Sequence, residues 1–147
     1  MFVTLLPKGG LMKIIVIQRH FENLVGIKAE VAKINQKRAE EIIFTNVPEE
    51  VLDAVHDGLP VIVVSGQVFG PFLFSGTDLA RQVKQVNPQA QFYMYSVIPE
   101  RNEAVDGVIP KRNGTAVNGQ HPVLAGILTS DLDGATPETL RRTFQVS

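Results

Sequence analysis

The side chains able to do chemistry cluster where apolar runs end. Gln18-Arg19-His20 follows the run from Lys13 to Ile17, and Ser65-Gly66 closes the run from Val61 to Val64. Ser96 stands near the end of Gln91 to Val97, and Lys111 follows Gly107 to Pro110. Arg19 and Lys111, brought together, would offer an anion two positive donors. The plainer alternative is that Arg19 pairs with a surface carboxylate. Ser65 as a nucleophile would need a base oriented by an acid, and no such His and acid pair stands at suggestive positions. A strand-end hydroxyl capping a turn is the better reading. Ser96 and Lys111 could equally serve packing and hydrogen bonding. Gly66, Gly70 and Gly76 do not make a phosphate loop, because the spacing is wrong and no Lys follows Gly76. The chain has no Cys, which excludes disulfides, thiolate chemistry and zinc held by Cys. His20, His56 and His121 are scattered without metal-ligand spacing, so each reads as a surface or boundary residue. No metal, no cofactor and no catalytic constellation are expected.

The elements that must position these residues alternate in type. Val61 to Val64 is β-branched with no polar alternation, as in a strand buried on both faces. Thr77 to Val86 has helical spacing, with Leu79, Val83 and Val86 on one face and Ser75 or Thr77 as N-cap. Asn87-Pro88 ends it. Strand, loop and amphipathic helix make half of a parallel βαβ unit. Ligands of such sheets bind at the carboxyl ends of the strands, where Ser65 to Gly76 lies.

Lys13 to Ile17 is a first strand. Phe21 to Arg38 reads as one helix with Leu24, Ile27, Val31 and Ile34 on its apolar face, and Gly26 weakens it by about 1 kcal/mol relative to Ala. Glu41 to Thr45 is a second strand. Asn46 with Glu49 resembles a capping box, with Pro48 in the first turn of a short helix and Asp57-Gly58 ending it. In the fourth strand, Gln91 to Val97, Phe92 and Met94 point to one face and Tyr93 and Tyr95 to the other. Pro99 to Val105 has room for two helical turns at most. Gly107 to Pro110 is a fifth strand. Pro122 to Leu132 and Thr136 to Phe144 read as two further helices.

Composition bounds the class. A chain of 147 residues suggests one domain, and 44% hydrophobic content suffices for a core. The net charge of -1 gives no basic field for nucleic acid. No apolar run is long enough to span a membrane, and the N-terminus lacks the pattern of a signal peptide, so a soluble cytoplasmic protein is the expectation. Residues 1–11, with Pro7 and Gly9-Gly10, read as an extension ahead of a domain covering 12–147, the part from about 112 being the least patterned.

The order of five strands alternating with helices, together with particular residues, resembles the receiver domain of bacterial two-component response regulators. The match runs from about Met12 to Lys111. Ser75-Gly76-Thr77-Asp78-Leu79-Ala80 with Val83 and Asn87-Pro88 looks like the family's third helix and the approach to it. Ser96 falls where the family has its switch Ser or Thr, and Gly107-Val108-Ile109-Pro110-Lys111 looks like the segment ending in its active-site Lys. The resemblance implies an α/β, three-layer, flavodoxin-like fold with a parallel five-strand sheet in the order 2-1-3-4-5. It also implies where the chemistry should be, and there the chain departs. The family's acidic, Mg²⁺-binding pair is replaced by Gln18 and Arg19, and its phosphate-accepting Asp by Ser65. Mg²⁺ requires hard, preferably anionic oxygen ligands. Removing the carboxylates and adding a guanidinium takes that charge away, and a Ser hydroxyl cannot form an acyl phosphate. The chain therefore looks like a pseudo-receiver.

The leading functional expectation is a non-phosphorylatable signalling module, not an enzyme, acting on a protein partner or as a homodimer. The alternative is a small-molecule or anion-binding domain using Arg19, Ser65, Ser96 and Lys111. The loop from Gly66 to Ser75 is uncharged and carries Phe69, Phe72, Leu73 and Phe74. These four either cover the vacated site or form an interface.

Overall fold

The computed structural model describes residues 13–67, 75–96, 100–110, 121–132 and 136–144. Five strands are present: β1 (Lys13–Ile17), β2 (Ile43–Thr45), β3 (Val61–Ser65), β4 (Ala90–Ser96) and β5 (Gly107–Pro110). They form one parallel sheet in the order β2-β1-β3-β4-β5. The helices are α1 (Phe21–Ile34), α2 (Gln36–Glu41), α3 (Pro48–Val55), α4 (Gly76–Val86), α5 (Pro122–Leu128) and α6 (Pro137–Phe144).

The β-branched runs explain the layering. A parallel sheet buried on both faces needs apolar side chains at successive positions, and every residue of β3 is buried. Ile14, Val16, Ile62, Val64, Tyr93, Tyr95 and Ile109 face one core, which α1, α5 and α6 close with Ile27, Val31, Leu124, Leu128 and Phe144. Ile15, Ile17, Val61, Val63, Phe92 and Met94 face the other, closed by α3 and α4 with Val51, Val55, Leu79 and Val83. The alternation read in the fourth strand thus sends its tyrosines and its Phe-Met pair to opposite layers. Each such side chain contributes about 1.5–3 kcal/mol by leaving water. Tyr93 stacks on Phe144 with ring centroids 4.8 Å apart, which ties α6 to the sheet.

Several boundaries differ from the sequence reading, each for a local reason. The expected helix from Phe21 to Arg38 is two helices. Asn35 is extended (φ -154°, ψ 98°), and its side chain accepts from the Arg38 amide at 3.0 Å. It ends α1 and caps α2. The new helix runs through Glu41, so the second strand begins at Ile43. Asn46 and Glu49 do not form the cap of α3; Val47 is the N-cap residue and makes no side-chain cap bond. Thr45 takes over, accepting from the Val47 amide at 3.0 Å and bonding to the Glu50 carboxylate. The turn after α3 uses Gly58 at φ 75°, a left-handed conformation that favours glycine. On α4 it is Ala80 that joins Leu79 and Val83 in the core, while Val86 is 38% exposed. Residues 101–106 form turns without a helix. The helix expected over Pro122 to Leu132 stops at Leu128.

Two polar clamps fix the far side of the sheet. Lys84 Nζ reaches the Asp106 carboxylate and the Ala90 carbonyl, both at 2.6 Å, and the same carboxylate accepts from the Phe92 amide at 2.8 Å. Asn87 is fully buried, and its amide donates to the carbonyls of Val55 and Leu59. It joins the end of α4 to the end of α3.

Candidate functional site

The sheet order reverses between β1 and β3, and the crevice outside the carboxyl ends of these strands is where open α/β sheets bind ligands. Ile17 lies opposite Ser65, which lies opposite Met94. The Gly66 amide donates to the Ile17 carbonyl at 2.9 Å, so the pairing of β1 and β3 runs one residue past the strands. This brings Gln18, at the end of β1, next to Ser65 and Gly66 at the end of β3.

Both side chains are engaged within the protein. Gln18 is 2% exposed and Ser65 is fully buried. The Gln18 Nε2 donates to the Tyr95 carbonyl at 3.4 Å, across β3 to β4. Its amide also lies against Gly66: a Cβ on that glycine would sit 3.2 Å from Nε2. The Ser65 Oγ donates to the Gly66 carbonyl at 2.7 Å and is turned back onto its own chain. Arg19 and His20 are exposed beside this buried pair. Among the described residues Arg19 makes no ion pair, so the expected surface carboxylate partner is not found there. Ser96 is half-buried at the end of β4, opposite Pro110. Lys111, Phe69, Phe72, Leu73 and Phe74 lie outside the described residues. Among the described residues, no group of three or more His, Asp or Glu side chains is placed to hold a metal ion.

The α4 side of the crevice is built by contact at close range. Ser75 and Asp78 form a full capping box: the Asp78 amide donates to Ser75 Oγ at 3.2 Å, and the Ser75 amide donates to the Asp78 carboxylate at 3.1 Å. The Gly76 amide donates to the Gln67 carbonyl at 2.7 Å. A Cβ at Gly76 would fall 2.2 Å from the Gly66 carbonyl oxygen, so only glycine lets the two backbones approach this closely.

One histidine corrects the sequence reading. His121 is 1% exposed, not a surface or boundary residue. Its Nδ1 is 2.6 Å from the Tyr95 hydroxyl, and the rings meet edge to face. Burial pushes the phenols of Tyr95 and Tyr93 well above the ordinary tyrosine range, Tyr93 being raised further by the Asp106 carboxylate. Since Gln18 bonds to the Tyr95 carbonyl, a buried polar path runs from the strand-end crevice through Tyr95 to the start of α5. His121 is remote from Tyr95 in sequence, and its patterning gives no signal of this pairing.

No protein-family model matches the chain, and no curated protein does. Among solved structures, the chain is similar to the isolated REC domain of RcsB from Salmonella enterica serovar Typhimurium, in the presence of the phosphomimetic BeF3-. The TM-score is 0.51 at 15% identity, covering 92% of this chain and 100% of that one. It is also similar to the Salmonella typhimurium RcsB response regulator, with a TM-score of 0.49 at 17% identity, covering 90% of this chain and 68% of that one. The second likeness is too slight to carry an argument. The first, with the strand order, defines the class: a receiver-like, flavodoxin-type α/β domain. At this identity the likeness concerns the fold and not the chemistry. No described helix is long and apolar enough to cross a membrane.

Proposed function

We propose that this chain is a receiver-like regulatory module that works through protein contacts and takes up no phosphoryl group. One observation carries the reading: at the carboxyl ends of β1 and β3, an amide and a hydroxyl are both buried and both hydrogen-bonded within the protein. A divalent cation at this point would need anionic oxygens, whereas the side chains after β1 are Gln18 and Arg19. An aspartyl phosphate would need a carboxylate at position 65, where the residue is Ser65. Gln18, lying over Gly66 and bonded to β4, holds in place what a bound ion would otherwise hold. The domain then acts as a scaffold with a locked crevice, and its surface does the work. Incubation with acetyl phosphate and Mg²⁺, read by intact mass, tests this; unchanged mass supports it and a stable added phosphate overturns it.

A further inference from the structure

We draw no further inference here: the strongest candidate, the exposed apolar groove between α1 and the edge strand β2, lined by Phe21, Val25, Ala29 and Phe44, carries nothing, because nothing in the structure shows what covers it.

Discussion

Replacing Gly76 with Ala tests how the crevice is built. The added Cβ would lie 2.2 Å from the Gly66 carbonyl oxygen and 3.0 Å from both Met94 Cε and Sδ. The methionine can move aside, because its side chain is flexible. The carbonyl cannot do so freely, since the Gly66 amide is bonded to Ile17. Nor can α4 back away without loss. Its first residue is bonded to the Gln67 carbonyl and its cap to Asp78. A gap more than 1 Å short of ordinary contact must then be made up by straining one of these bonds. Overpacking of this kind costs about 1–3 kcal/mol, and a backbone obstacle puts Gly76→Ala at the upper end. With about 2.1 cal/mol/K of unfolding entropy per residue, a loss of about 3 kcal/mol lowers the melting temperature of 147 residues by about 10 °C. Gly126→Ala is the control. A Cβ there meets nothing within 4 Å inside α5, so the change should be neutral or stabilise by up to about 1 kcal/mol. Differential scanning calorimetry of both variants is the assay. If Gly76→Ala melts with the wild type, the close packing of α4 on the loop after β3 is wrong.

Alkaline pH should expose the buried phenols. Tyr93 and Tyr95 stay protonated in the folded state above the ordinary tyrosine value, so the unfolded chain binds fewer protons and stability falls as pH rises past about 10. The slope should be about 1.4 kcal/mol per pH unit for each tyrosine, and Tyr95→Phe should halve it; urea melts across this range that show no extra slope would refute the burial argument. Millimolar Mg²⁺ should leave the melting temperature of the wild type unchanged, because Gln18 and Arg19 supply no anionic oxygen after β1; an upward shift reversed by a chelator would contradict this.

The centre of the sheet was legible because β1 and β3 are largely β-branched and unbroken. Lys13 to Ile17 and Val61 to Val64 carry that signal most plainly, and the strand order came with the receiver resemblance. Helix ends were less legible, because several rest on single side chains. Asn35 splits one apolar period into two helices without interrupting the spacing of Leu24, Ile27 and Val31. Thr45 displaced Asn46 as the anchor of α3 because a β-strand end can present its hydroxyl to the next turn. Gln18 and Ser65 stand at the ends of β1 and β3 because they follow apolar runs. Their hydrogen bonds were not readable, since Tyr95 and Gly66 meet them through backbone carbonyls that carry no sequence signature. The Tyr95 and His121 pair joins two distant segments, and a lone histidine before Pro122 gives no hint of burial. The reading of Phe69, Phe72, Leu73 and Phe74 as a cover or an interface, and that of Lys111 as an anion ligand, fall on residues outside those described.

The most direct measurement is phosphoryl uptake. The chain is incubated with acetyl phosphate and Mg²⁺, beside a receiver that retains its acidic pair and acceptor Asp, and both are read by intact-mass spectrometry. The control should gain one phosphate, while this chain, with Gln18 and Arg19 after β1 and Ser65 at the end of β3, should keep its original mass. A stable gain of one phosphate mapped to Ser65 would show that the crevice still performs phosphotransfer.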